Sequence, residues 1–151
     1  MSDTQTQYRR LLVIANETCP CPGLARQASD LLDRRDGELL LVAPALNSRL
    51  RHWVSDTDEA VQQAHVRLRD AVKALAEHGV QAQSQVGDAD PLLAIHDATR
   101  EFAADAIIIS THPAGHSHWL ERGLLERARD QLTVPILHLE SRYGLFAAAV
   151  E

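Results

Sequence analysis

Two segments of the sequence concentrate side chains that bind anions and flat rings. The first segment contains Arg49, Arg51, His52 and Trp53. The second segment contains Thr111, His112, His116, Ser117, His118, Trp119 and Arg122. A guanidinium forms paired hydrogen bonds with a phosphate or a carboxylate, and an indole offers its face to a base or a cation. The two segments therefore predict a site for a small anionic ligand that contains an aromatic ring.

A simpler interpretation of the same residues stays open. In it, the arginines form surface ion pairs with the carboxylates of Asp56, Asp58 and Glu121, and each indole covers the edge of the domain. The two interpretations differ in whether a ligand binds.

Three histidines of the second segment are spaced as zinc ligands can be. His112, His116 and His118 supply three imidazoles within a few residues. The sequence forces no carboxylate or thiolate close to them, so we expect histidines that face solvent or an anion, and no metal site.

Cys19 and Cys21 are separated by one residue, which would strain a mutual disulfide, and the prolines beside them predict a rigid turn without a redox or metal role.

The sequence indicates no catalytic residue. Asp88 and Asp90 form a pair of carboxylates, but they stand directly before Pro91. Acidic side chains in that position accept hydrogen bonds from the free N–H groups at a helix start, so we expect them to act as caps. No spacing supports a nucleophile with its histidine and acid.

The elements that must position these residues alternate between strand and helix. Continuous apolar runs over residues 10–15, 38–43 and 104–109 predict strands buried on both faces. A weaker alternation over 80–86 predicts an edge strand, and 134–139 predicts a last strand. Apolar residues at helical spacing predict helices over 24–35, 55–79, 91–102 and 119–131.

This order predicts one α/β domain over residues 1–151, with a core over 8–139 and a C-terminal tail over 140–151. Strands that alternate with helices form a parallel sheet with helices on both faces and right-handed crossovers. A ligand crevice opens at the carboxyl ends of the strands where the strand order reverses. The loops after the first and fourth strands, the latter predicted to start at Ser110, are therefore the expected location of the site.

The composition excludes several classes of function. The chain has 151 residues and a formal net charge of -6, whereas nucleic acids and acidic membranes require a broad basic surface. No apolar run approaches the roughly 18 residues of a membrane span, and residues 1–7 are polar. We expect a cytoplasmic protein that binds neither nucleic acid nor membrane.

The last third of the chain has the spacing of a known motif. Asp105-Ala-Ile-Ile-Ile precedes it, Val134-Pro-Ile-Leu follows it, and Gly87 stands before the third helix. This pattern extends over nearly the whole chain and resembles the universal stress protein family, whose motif is G-x2-G-x9-G-(S/T). The motif positions here are occupied by Ser110, Pro113, Gly123 and Leu124, so only Gly123 keeps its identity.

The resemblance implies a Rossmann-like (adenine nucleotide alpha hydrolase-like) three-layer sandwich with five parallel strands, and a role in stress response. In nucleotide-binding members an aspartate follows the first strand, a small apolar residue near the end of the second meets the adenine, and the motif holds ribose and phosphates. The matching positions are Asn16, Ala43 and 110–124. We expect ATP, another adenine nucleotide or a different anionic ligand to contact Asn16, Ala43, Arg49, Ser110, Thr111, His112, Pro113, Arg122, Gly123 and Leu124.

Three of these positions depart from the family pattern in ways that change their chemistry. Pro113 has no N–H to offer a phosphate, Leu124 has no hydroxyl, and the amide of Asn16 replaces a carboxylate. The departures predict a modified mode of binding.

The resemblance also implies a homodimer in which the last strand, 134–139, pairs across the interface. One alternative function is a homodimeric interaction protein that needs no nucleotide, which the loss of two motif glycines favours. The least favoured alternative is a nucleotide hydrolase that uses His112 as its base.

Overall fold

Five strands and four helices alternate along the residues that the computed structural model describes, which are 7–15, 22–33, 35–44, 56–88, 90–111 and 123–140. The elements are β1 (Arg10–Ala15), α1 (Pro22–Leu31), β2 (Glu38–Pro44), α2 (Asp56–Glu77), β3 (Ala82–Gly87), α3 (Pro91–Glu101), β4 (Ala106–Thr111), α4 (Leu124–Gln131) and β5 (Ile136–Glu140). The strands form one parallel sheet in the order β3-β2-β1-β4-β5. The predicted fold, an α/β domain with a five-stranded parallel sheet, is confirmed.

The continuous apolar runs form the three inner strands of the sheet. All of β4, residues 11–15 of β1 and residues 39–44 of β2 are buried. β3 exposes Gln83 and Ser84 and lies at one edge, as its weaker alternation predicts. An inner strand is covered on both faces, so every position favours an apolar side chain, whereas an edge strand leaves some positions in water.

Helices cover both faces of this sheet. α1 and α2 pack against the face that carries Leu11, Val13 and Ile108. α3 and α4 pack against the opposite face, which carries Leu12 and Ile14. Because successive residues of a strand point to opposite faces, one apolar run supplies both cores. The result is the predicted three-layer sandwich.

The start of α3 is capped as the sequence predicts. The Asp90 side chain accepts a hydrogen bond from the Leu92 N–H at 3.0 Å, and Pro91 occupies the first helical turn. Asp88 in turn accepts a hydrogen bond from the Asp90 N–H at 2.9 Å. Both carboxylates therefore have a structural partner at the helix start.

Two predicted boundaries near the fourth strand are wrong. Ser110 and Thr111, expected to open a polar loop, are the last residues of β4, where they pair with Leu139 and Glu140 of β5. α4 begins at Leu124 instead of residue 119, because Gly123 has a left-handed backbone (φ 70°, ψ 33°) that an α-helix cannot contain. Ser55, the expected start of α2, lies outside the described residues.

Asp105 fastens the start of β1 to the start of β4. Its Oδ2 accepts hydrogen bonds from the N–H groups of Arg9 at 3.2 Å and Arg10 at 3.1 Å. Its own N–H donates to the Arg10 carbonyl at 2.7 Å. One side chain thus aligns two central strands that are distant in sequence.

Replacing this carboxylate should weaken the fold. Asp105→Ala is expected to lower the free energy of unfolding by about 1.5 kcal/mol, because two backbone donors lose a charged acceptor. Asp105→Asn keeps an acceptor oxygen and should lose clearly less. Urea denaturation of both variants measures the difference, and equal losses would contradict the assigned role.

The longest described helix, α2, has 22 residues. Its exposed residues include the polar Gln62, His65, Arg69 and Asp70 and also Val66, which is 48% exposed. Among the described residues no helix is both long and apolar enough to cross a membrane.

Candidate functional site

The strand order reverses between β1 and β4, the two central strands. β1 leads to β2 on one side, whereas the connection after β3 crosses over to β4 on the other side. In such a sheet the chain leaves the two central strands in opposite directions, which opens a crevice at their carboxyl ends. Ala15 and Ser110 are paired residues at those ends. The crevice expected at this point is therefore bordered by the small side chains of this pair.

Apolar side chains continue along the ends of the neighbouring strands. β1 and β2 run in register up to Ile14 and Val42, which places Ala43 beside Ala15, and Ala43 pairs with Val86 of β3. On the other side Ser110 pairs with Leu139 of β5. We call these five residues, Val86, Ala43, Ala15, Ser110 and Leu139, the strand-end row.

The strand-end row lies on the face of the sheet that α1 and α2 cover. Ala15 and Ala43 belong to the core cluster of that face, as do Ala106 and Ile108 of β4. Ser110 follows them at the same two-residue period, so it shares their face. The exposed fractions of Ala15, Ala43 and Ser110 are 2%, 3% and 1%.

Ser110 carries the only side-chain polar atom of the strand-end row. Its hydroxyl is buried and has no hydrogen-bond partner among the described residues. A buried hydroxyl without a partner destabilises a protein by about 1–3 kcal/mol. It is therefore an unusual feature of the core, and it lies at the carboxyl end of β4, paired with Ala15.

Thr111 points to the opposite face and has a partner of its own. It is buried, and its Oγ1 is hydrogen-bonded to Nε2 of His138 on β5 at 2.8 Å. The sequence-based site did not include His138. The available signal was a histidine inside the apolar run of the last strand, but nothing in the sequence pairs it with Thr111.

Gly123 and Leu124 form the start of α4. The first intrahelical hydrogen bond joins the Arg127 N–H to the Gly123 carbonyl at 3.0 Å, and no side chain caps this end. The N–H groups of residues 124–126 precede that bond and can bind an acceptor. The Leu124 side chain is buried in the core against α3, so only its backbone is available to a ligand.

The other predicted site residues cannot be placed. Asn16, Arg49, His112, Pro113 and Arg122 lie outside the described residues, and so do the cysteines and tryptophans that the sequence singled out. Over the described ranges, no group of three His, Cys, Asp or Glu side chains is arranged to hold a metal ion. The structure thus brings together Ala43 and Ser110 in one row, with Thr111 on the other face.

A separate cavity of about 420 Å³ lies at the opposite end of the sheet, where β2 and β3 begin. Its polar lining comes from Ser29, Asp33, Arg35, His78 and Gln81. The His78 Nδ1 is 3.1 Å from the Ala74 carbonyl, so this nitrogen carries the hydrogen. We call this the amino-end cavity. None of the predicted site residues contributes to it.

Fold and strand pairing together define a single-sheet α/β domain whose strand order reverses between β1 and β4. Residues 7–134 match the model of the universal stress protein family, and the chain belongs to that family. No curated protein matches the sequence significantly. The predicted resemblance is thereby confirmed.

Solved structures of family members share the fold at low identity. The universal stress protein from Archaeoglobus fulgidus is 18% identical, with a TM-score of 0.65 over 89% of this chain and 95% of that one. It has also been solved in complex with dAMP. A universal stress protein in complex with cAMP is 15% identical, with a TM-score of 0.63 over 90% and 99%. An Arabidopsis thaliana member with AMP bound is 13% identical, with a TM-score of 0.58 over 90% and 94%.

Proposed function

We propose that this protein is a sensor domain that binds an adenine nucleotide at the carboxyl ends of its strands and acts in a stress response. The observation that carries the proposal is the pairing of Ala15 with Ser110 where the strand order reverses. Proteins of the same fold are found in complex with AMP, dAMP and cAMP. These three ligands share an adenine, a sugar and a single phosphate.

The start of α4 supports a ligand with few phosphates. A phosphate placed there meets the backbone N–H groups of residues 124–126, which favour an anion. The carboxylate of Glu126 lies in the same first turn and interacts with the same positive end of the helix. Additional phosphates would add negative charge close to Glu126, and Leu124 offers them no hydroxyl. We therefore propose a preference for one phosphate over three.

Titration with nucleotides tests the proposal directly. AMP and cAMP should raise the melting temperature in a saturable way, because a ligand at 100 times its Kd stabilises the folded state by about 2.7 kcal/mol. ATP should have a smaller effect at equal concentration. GMP differs from AMP only in its base and is the matched control. Flat curves for every adenine ligand would refute nucleotide binding.

The rest of the site is proposed from the sequence. Asn16, Arg49, His112, Pro113 and Arg122 complete the lining in this proposal, with the two arginines facing the anionic part of the ligand. We also propose a cytoplasmic location and a single domain whose core spans residues 8–139.

We propose further that the protein is a homodimer that pairs through β5. This strand lies at one edge of the described sheet and is the last described element. The alternative function, a homodimeric interaction protein that needs no nucleotide, is favoured by the replacement of a motif glycine by Ser110 and by the burial of Leu124. An absence of nucleotide binding together with a stable dimer would select that alternative.

A further inference from the structure

The amino-end cavity is lined by two opposite charges that do not pair with each other. Asp33 and Arg35 both contribute to the wall of this cavity of about 420 Å³. The Arg35 backbone N–H donates a hydrogen bond to Oδ1 of Asp33 at 2.9 Å. Among the described residues, neither the carboxylate nor the guanidinium forms an ion pair. The cavity therefore presents a negative and a positive group that are each able to bind a charged group of a ligand.

The ends of two helices add to the negative side of the cavity. α1 ends at Leu31, two residues before Asp33, and α2 ends at Glu77, directly before His78 of the cavity wall. The C-terminal end of a helix carries a partial negative charge from its free carbonyl groups. Two such ends and a carboxylate favour an ammonium group, whereas the planar guanidinium of Arg35 suits a carboxylate. The cavity thus matches a molecule that carries both charges.

Two apolar side chains belong to the same wall. Leu32 and Val80 line the cavity and are largely buried, with exposed fractions of 6% and 5%. An apolar group of a ligand that covers them would remove further apolar surface from water, which favours binding. The volume of the cavity lies within the range of about 300–1,000 Å³ in which proteins bind small molecules. The ligand is therefore expected to be small and to carry an apolar part.

We propose that the amino-end cavity binds a free α-amino acid with an apolar side chain. The ammonium group of the amino acid faces Asp33 and the ends of α1 and α2, and its carboxylate faces Arg35. Its side chain contacts Leu32 and Val80. β3 has 6 residues, which at about 3.3 Å per residue separates the two ends of the sheet by roughly 20 Å. This site is therefore distinct from the proposed nucleotide site and does not depend on it.

L-Leucine and two analogues test the need for both charges. 3-Methylbutylamine is leucine without its carboxylate, and 4-methylpentanoate is leucine without its ammonium group. Leucine should bind saturably and at least about tenfold more tightly than either analogue, because each analogue loses one charged contact. The backbone amide NMR signals of Gly37, Gly79 and Gln81, which line the cavity, should shift during the titration. An analogue that binds as tightly as leucine, or no saturable shift with leucine, would overturn the inference.

Two variants of the cavity wall test the assigned contacts. Asp33→Asn keeps an acceptor for the Arg35 N–H but removes the charge, and Arg35→Ala removes the guanidinium. Each should weaken leucine binding about tenfold or more. The matched controls are Asp30→Asn and Arg26→Ala, which change the same charges at exposed positions of α1 outside the cavity. Equal losses in the controls would mean that the overall charge, and not the cavity, binds the amino acid.

A competition experiment separates this inference from the proposed function. Saturating AMP should leave the affinity for leucine unchanged, and loss of leucine binding in its presence would show a shared site and overturn the inference. Leucine binding without AMP binding would support the inference while the proposed function fails. AMP binding without leucine binding would support the proposed function and refute the inference.

Discussion

Replacing Gly87 by alanine is expected to lower the free energy of unfolding by about 2 kcal/mol, since inserting a methyl group into a packed core forces its neighbours apart. A Cβ on Gly87 would lie 2.8 Å from Cγ1 of Val42 and 2.9 Å from the Cβ of Ala94. Ordinary contacts between carbon atoms are about 3.5–4.0 Å. Val42 and Ala94 are both buried, and the Cβ of Ala94 cannot turn away because it is fixed to its helix.

A double-mutant cycle identifies the cause. Val42→Ala removes the nearer methyl group, so Gly87→Ala should cost about 1 kcal/mol less in the Val42→Ala protein than in the unaltered one. Gly79→Ala is the contrasting control, because a Cβ on Gly79 would meet nothing within 4 Å although its φ is 81°. That variant should lose about 1 kcal/mol through its backbone conformation, with no coupling to Val42. Absence of coupling at Gly87 would show that close packing is not the reason for glycine there.

Gly87 matters to the site through the elements that it brings together. It pairs with Pro44 at the carboxyl end of β2, beside Ala43 of the strand-end row. Its missing side chain lets α3 approach β2 and β3 at that end. Forcing α3 away would therefore disturb the strand ends that border the crevice.

The sheet was predictable because its strands differ in burial. The burial of a strand determines whether its apolar residues are continuous or alternate with polar ones. The apolar runs 11–15, 39–43 and 106–109 of β1, β2 and β4 have no polar interruption, whereas β3 alternates weakly. The cap at Asp90 was predictable for a similar reason, since it depends only on neighbours in sequence. The bond of Asp105 to Arg9 and Arg10 was not, because it joins residues about 95 positions apart.

The order of the strand ends was predictable, but the residues at which the strands end were not. The alternation of strands and helices indicated the carboxyl ends of the first and fourth strands, and the paired Ala15 and Ser110 lie there. Whether Ser110 ends a strand or opens a loop depends on its pairing with Leu139 of β5. The sequence of β4 alone does not show that pairing. The contact between Thr111 and His138 has the same origin, since only the register of β5 brings the two side chains together.

The start of α4 depends on the left-handed backbone of Gly123. Its φ of 70° and ψ of 33° lie in the region that glycine occupies without penalty. Space does not require the glycine, because an added Cβ would come no closer than 3.6 Å to the Glu126 carboxylate. The requirement is therefore torsional, and it explains why this motif position keeps its glycine while the position of Ser110 does not.

Gly123→Val should lower the free energy of unfolding by about 2 kcal/mol, because a β-branched residue is strained in the left-handed region. Gly123→Asn should lose less than half as much, since asparagine tolerates that conformation. Urea denaturation compares the two variants, and equal losses would mean that torsion is not the cause. Under the proposed function, the valine variant should also lose more affinity for AMP than for adenosine, because a displaced start of α4 misaligns the N–H groups offered to the phosphate while the strand-end row stays intact.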